Sequence, residues 1–164
     1  EMTAQVTNII LIGMPGSGKS TVGRAVAKAL GRTFYDADAA IEERAGRSIP
    51  EIFAEEGEAA FRALEHQVLS DLGRRNGVVI ATGGGAVCFE RNLPPLWENG
   101  RVYCLQRPVD TLPTAGRPLS TSRQRLVEME RERAPFYRRA AQVMVDNSGP
   151  LKRTVAAILE DFGR

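Results

Sequence analysis

Apolar residues in this chain follow two rhythms. Five mainly apolar runs, Asn8–Ile12, Thr33–Asp36, Val78–Thr82, Val102–Gln106 and Val143–Asp146, are each four or five residues long. Short apolar runs of that length read as strands. Between them, apolar residues recur every three or four positions, the period of a helix with one buried face. Ser20–Leu30 has this pattern, and Phe61, Leu64, Val68 and Leu72 carry it on a second stretch. Arg123–Arg139 reads as a third helix. Leu151, Val155, Ile158, Leu159 and Phe162 line a fourth, with Pro150 at its first turn, where a missing N–H costs nothing. Strands alternating with helices predict βαβ units on a parallel sheet, an α/β fold. No linker, repeat or low-complexity tract interrupts the pattern, so one domain over residues 1–164 is expected. Doubly wound sheets gather ligands at the C-terminal ends of their strands, which directs attention to the residues after each strand.

Composition narrows the function classes. The 164 residues are 26% charged and 43% hydrophobic, with a net charge of +2. That balance lacks the strongly basic face or tail of a nucleic-acid binder, so no nucleic-acid partner is expected. No apolar run reaches the 18 or more residues of a membrane span, and no membrane partner is expected either. The N-terminal residues lack the basic start and long apolar core of a secretory leader. Cys88 and Cys104 are the two cysteines; a pair in such a chain is expected to be free thiols, Cys104 packing inside a strand. A cytoplasmic monomer is the expectation.

The most specific chemistry follows the first strand. Gly13-Met14-Pro15-Gly16-Ser17-Gly18-Lys19-Ser20-Thr21 has the spacing G-x-x-x-x-G-K-[ST] between a strand and a helix, the setting of a phosphate-cradling P-loop. Gly13, Gly16 and Gly18 let the backbone curl so that N–H groups meet phosphate oxygens. Lys19 supplies a compact positive charge to the β- and γ-phosphates, and Ser20 a hydroxyl for Mg²⁺. Ser17 and Thr21 complete the loop, and the following helix offers its positive dipole end to the same anion. A nucleotide phosphate, with Mg²⁺ beside it, is therefore the expected ligand.

The second strand ends in Asp36-Ala37-Asp38, two carboxylates that an extended chain would point to one side. One could hold Mg²⁺ through water and the other face an acceptor hydroxyl. Alternatively one of them caps the next helix. The third strand ends in Thr82 and not in the carboxylate that holds Mg²⁺ in many P-loop proteins, which leaves Asp36 as the candidate. Gly83-Gly84-Gly85 follows, either a plain turn or a place where a ligand approaches backbone N–H groups. Arg62 and Glu65, three apart on a helix, form either a surface ion pair or a guanidinium fork held for a carboxylate. Residues 117–139 contain seven Arg, three Glu and no Lys. Such a segment suits anionic ligands, or is a solvated helix face. Within it, Gly116-Arg117-Pro118 reads as a loop able to swing over phosphates, Arg117 acting as an arginine finger in cis. His66, the sole histidine, reads as a surface helix residue without a partner.

Together these residues resemble the shikimate kinase family over nearly the whole chain. The shared elements are the P-loop Gly13–Thr21, Asp36/Asp38, Phe61-Arg62…Glu65, Gly83-Gly84-Gly85, Arg117-Pro118-Leu119 and Arg133…Tyr137, in that order. The resemblance implies a P-loop three-layer sandwich, a five-stranded parallel sheet of order 2-3-1-4-5 flanked by helices, with a mobile lid near residues 111–123. It implies ATP- and Mg²⁺-dependent phosphorylation of the 3-hydroxyl of shikimate on the way to chorismate. In those terms Asp38 binds shikimate hydroxyls beside the reacting one, and Arg62 and Arg133 clamp its carboxylate. Gly84 offers its backbone N–H, with Gly83 and Gly85 beside it in the substrate-binding set, Glu65 holds Arg62, and Arg117 reaches the transferred phosphate. Asp36, Ser20 and Lys19 manage Mg²⁺ and ATP. The chain departs from the family at Val109-Asp110-Thr111-Leu112-Pro113, where members commonly carry an arginine that packs on adenine. Ser120 also stands where an apolar residue is usual.

Two other readings stay open at this point: a kinase for another small hydroxy acid such as gluconate, and a binding-only P-loop relative. A switch GTPase is disfavoured by the lack of an N-K-x-D motif.

Overall fold

The computed structural model describes residues 6–113 and 119–163. Five parallel strands form one sheet in the order β2-β3-β1-β4-β5. They are β1 (Asn8–Ile12), β2 (Phe34–Asp36), β3 (Val79–Ala81), β4 (Gly100–Gln106) and β5 (Val143–Asp146). The helices are α1 (Lys19–Leu30), α2 (Ala37–Ala45), α3 (Ile49–Glu56), α4 (Glu58–Gly73), α5 (Leu93–Trp97), α6 (Leu119–Ala140) and α7 (Leu151–Phe162).

The side-chain alternation of a strand divides the core in two. Ile10 and Ile12 of β1, Ile80 of β3 and Val102 and Cys104 of β4 face one way, against α2 to α6. Ile9 and Leu11, Val79, and Tyr103 and Leu105 face the other way, against Val22 and Val26 of α1 and Ile158 of α7. Every residue of β1 is buried, which explains why that strand shows no alternation of polar and apolar positions. Each fully buried Ile or Leu contributes about 2 kcal/mol of apolar transfer free energy. The three layers expected from the sequence are present.

Several boundaries differ from the expectation. α1 begins at Lys19, α6 at Leu119, and β4 at Gly100, while β3 is only three residues long. Two helices, α3 and α5, were not anticipated, and α2 entered only as the helix that one of the two aspartates would cap. α2 buries only Ala37 and Ile41, too few to write a period. α3 is eight residues long and is announced by a capping box, Ser48 with Glu51, in which each side chain meets the other's backbone N–H. In α5 two prolines, Pro94 and Pro95, disguise a single short helix.

Candidate active site

The P-loop joins β1 to α1 at the C-terminal edge of the sheet. Gly13, Gly16 and Gly18 adopt φ values of +146°, +80° and +99°, a region L-residues rarely enter, so the glycines there are conformational requirements. Side chains hold the loop by its carbonyls. Lys19 Nζ donates to the Gly13 and Met14 oxygens at 2.7 and 3.0 Å. Arg107 donates to Gly16 O at 3.2 Å, and Asn147 to Ser17 O at 2.7 Å. Asn147 is itself fixed by Thr154, whose hydroxyl donates to Asn147 Oδ1 at 2.7 Å. In a trans peptide the N–H points opposite the C=O, so pinned carbonyls leave the amide ends of the same peptides facing away from the pins. Burial lowers the Lys19 amine to about 8, Arg133 adding to that shift while Asp38 opposes it.

Asp36 serves two purposes. Its Oδ1 accepts from the Asp38 and Ala39 N–H groups, capping α2, and its Oδ2 accepts from Ser20 Oγ at 3.0 Å. Capping and proximity to the P-loop hydroxyl are thus compatible. Asp38, by contrast, is not on an extended strand: it lies in the first turn of α2, because Asp36 ends β2 and starts the helix at once. The helix turns Asp38 toward the glycine triplet, where a Cβ on Gly83 would lie 2.7 Å from Asp38 Oδ1. Burial, with the Asp36 charge adding, raises Asp38 above the ordinary carboxylate range.

The triplet follows β3 and Thr82, whose buried hydroxyl donates to Leu11 O. A Cβ on Gly84 would lie 2.8 Å from Arg133 Nη1, and one on Gly85 would lie 3.0 Å from Arg62 Nη2 and 3.2 Å from Arg133 Nη2. Two guanidinium groups from different helices therefore meet at one glycine. The triplet is a close approach, and not a plain turn. Arg62 on α4 stacks over the Phe61 and Phe89 rings, 5.0 and 4.6 Å from their centroids, and donates to Glu65 Oε1 at 2.9 Å. Glu65 is 1% exposed, so the pair is not a surface ion pair. Burial raises the Glu65 carboxyl, and Arg62 opposes that shift. Arg62 Nε and Arg133 Nη1 are buried donors with no hydrogen-bond partner among the described residues.

Arg117 and Pro118 lie outside the described residues, together with positions 114–116 of the expected lid. His66 departs from expectation: it is half-buried, with Nδ1 2.9 Å from Asn92 Oδ1. Asn92 in turn donates to Ala86 O, so this pair braces the turn after the triplet. Among the described residues no three acidic, histidine or cysteine side chains cluster as a metal cage. No described helix is long and apolar enough to cross a membrane. Cys88 and Cys104 are free thiols.

The shikimate kinase family model matches residues 15–162. This chain belongs to the shikimate kinase family. A curated shikimate kinase from Halorhodospira halophila is 48% identical over 158 residues, covering 92% of this chain and 89% of that one. A solved shikimate kinase from Acinetobacter baumannii, in complex with shikimate, is 39% identical with a TM-score of 0.86, covering 94% of this chain and 92% of its own. A gluconokinase from Sinorhizobium meliloti has a TM-score of 0.62, covering 99% of this chain and 94% of its own, but at 20% identity it speaks for the fold alone.

Sequence reasoning missed two residues that hold the P-loop, Arg107 and Asn147, and gave no role to the Tyr137 hydroxyl. Arg107 directly follows β4 and Asn147 directly follows β5. The strand-end rule, applied to all five strands, would have found both.

Proposed function

We propose that this protein transfers the γ-phosphoryl group of ATP to the 3-hydroxyl of shikimate, giving shikimate 3-phosphate and ADP. The observation that carries this reading is the meeting of Arg62 and Arg133 at Gly85 beside Asp38, Arg133 Nη1 being a buried donor with no hydrogen-bond partner among the described residues and Arg62 Nε having only a 3.6 Å ion pair with Glu58. An unsatisfied buried donor costs on the order of 1–3 kcal/mol, more when charged, and a substrate carboxylate supplies the missing acceptors. Glu65 holds the Arg62 fork in its plane. Gly83, Gly84 and Gly85 lack the side chains that would fill the space between Asp38 and the two arginines.

On the donor side, Gly13, Gly16, Ser17, Gly18 and Thr21 form the phosphate cradle around Lys19. Ser20 and Asp36, two hard oxygen donors 3.0 Å apart beside that cradle, fit Mg²⁺ and would hold it together with phosphate oxygens and water. Bound there, the ion would neutralise phosphate charge. Phosphoryl transfer needs positioning and charge stabilisation more than covalent chemistry from the protein. Lys19, with Arg117 from the lid segment, supplies positive charge to the transferred group. Asp38 accepts the acceptor hydroxyl proton as the oxygen bonds to phosphorus. Its raised affinity for a proton suits it to that role. Operation as a monomer in the cytoplasm is part of this reading, the two free thiols suiting a reducing compartment.

The test is ADP release from ATP with shikimate, quinate, gluconate or no acceptor. Stimulation by shikimate well above the others is expected. Preference for gluconate, or ATP binding with no acceptor-stimulated turnover, would overturn the proposal.

A further inference from the structure

Three consecutive glycines impose little backbone preference, so something outside the triplet must decide how its peptides face. Tyr137 is placed to do so. It is 4% exposed, on α6, and its hydroxyl donates to Gly84 O at 2.8 Å. Arg133 lies four residues earlier on the same helix, hence on the same face one turn away. Its Nη1 is the atom that a Cβ on Gly84 would approach to 2.8 Å, while Pro15 of the P-loop would lie 3.1 Å away on that glycine. Gly84 is therefore held between the donor loop and α6, with its carbonyl fixed by α6 itself.

The helix needs that anchor. Pro135 stands between Arg133 and Tyr137 inside α6 and carries no N–H, so the Arg131 carbonyl loses its usual partner. The turn that presents Arg133 is the one weakened by this loss. Downstream, Trp97 donates to Ala140 O at 2.9 Å and fixes the end of the helix, but it lies nearly two turns from Arg133. Arg139, nearer than Ala140, pairs with Glu90 on the surface, and the buried contact next to the weak turn is the Tyr137 hydroxyl on Gly84.

We propose that Tyr137 is a positioning residue for the acceptor, its hydroxyl setting the orientation of the Gly84 peptide and the register of Arg133 against the triplet. This rests on the reading of that site as the acceptor carboxylate clamp. Burial pushes the phenol up to about 12, so it remains a donor throughout the working pH range.

Tyr137→Phe in the full chain tests it, since the ring and its packing are kept. With one neutral hydrogen bond removed, KM for shikimate should rise on the order of fivefold. kcat should change less than about twofold, KM for ATP should be unaltered, and the thermal midpoint should move little. In a cycle with Arg133→Lys, the double variant should bind shikimate about as weakly as Arg133→Lys alone, because the two side chains act as a unit. A lowered thermal midpoint with unchanged shikimate KM would overturn the proposal, leaving Tyr137 a packing residue. Additive effects in the cycle, or equal rises in both KM values, would overturn it as well. Failure of the unsubstituted protein to release ADP with shikimate would instead sink the acceptor reading beneath it, and so the two failures are distinguishable.

Discussion

Gly85→Ala isolates the carboxylate clamp from the stability of the fold. Gly85 has φ −99° and ψ 1°, so alanine enters that conformation without the penalty of positive φ. The substitution also narrows the unfolded ensemble, a gain of about 0.4–1 kcal/mol where the native backbone is compatible. The added methyl would sit 3.0 Å from Arg62 Nη2 and 3.2 Å from Arg133 Nη2. Ordinary carbon contacts start near 3.5 Å, so both forks must retreat by roughly half an ångström. Arg62 has little room, with Glu65 on one nitrogen and two aromatic rings on its faces. Loss of one charge-assisted hydrogen bond to the carboxylate costs about 1.5–3 kcal/mol. At about 1.4 kcal/mol per tenfold, KM for shikimate should rise roughly ten- to a hundredfold. Urea unfolding should show stability unchanged to within about 1 kcal/mol, and KM for ATP should stay near its original value. Steady-state ADP release with each substrate varied in turn measures all of this. A shikimate KM within twofold of the original, in a variant as stable as the parent, would refute the clamp.

Asp38→Asn should lower kcat by about 10²- to 10⁴-fold, the range of a lost general base, with ATP affinity nearly intact by titration calorimetry. Because burial raises the Asp38 carboxyl in the folded state, its ionisation opposes folding, and the loss of stability grows as pH rises from the ordinary carboxylate range through the raised value. The asparagine variant should therefore melt higher than the parent at neutral pH; a lower melting point would contradict that sign. Lys19, held down to about 8 by burial, predicts a second pH effect. Phosphate binding favours the charged amine, so ATP affinity should fall as pH climbs through about 8, by at most tenfold per unit. A flat affinity between pH 7 and 9.5 would rule this out.

How legible each part was depended on where the stabilising contacts lie along the chain. β1, β4 and most of the α1, α4 and α7 patterns were visible because buried strands and one-sided helices write their burial into consecutive residues. α2 was legible only through its aspartate cap, since it has just two buried positions and takes its place from packing on α4. α3 had a readable sign in Ser48 and Glu51. His66 looked unpartnered because Asn92 is 26 positions away. Arg62 and Glu65 looked equally like a surface pair, and only their burial among Phe61, Phe89 and the triplet decided between the readings.

By itself the sequence determined the chemistry available: a P-loop with its lysine and hydroxyl, two aspartates after a strand, a glycine triplet and arginines suited to an anion. Those features are local, and local geometry follows from residue type and spacing. The tertiary structure alone decided that Arg62 of α4, Arg133 of α6 and Asp38 of α2 converge on residues 83–85. Sheet order causes that convergence, because β2 and β1 flank β3 and bring α2 and the P-loop to either side of the triplet. Nothing in the chain near Gly85 specifies that two guanidinium groups, 23 and 48 residues distant, will stop about 3 Å from it. Packing of whole helices on the sheet sets that distance, and the absence of a Cβ makes it possible.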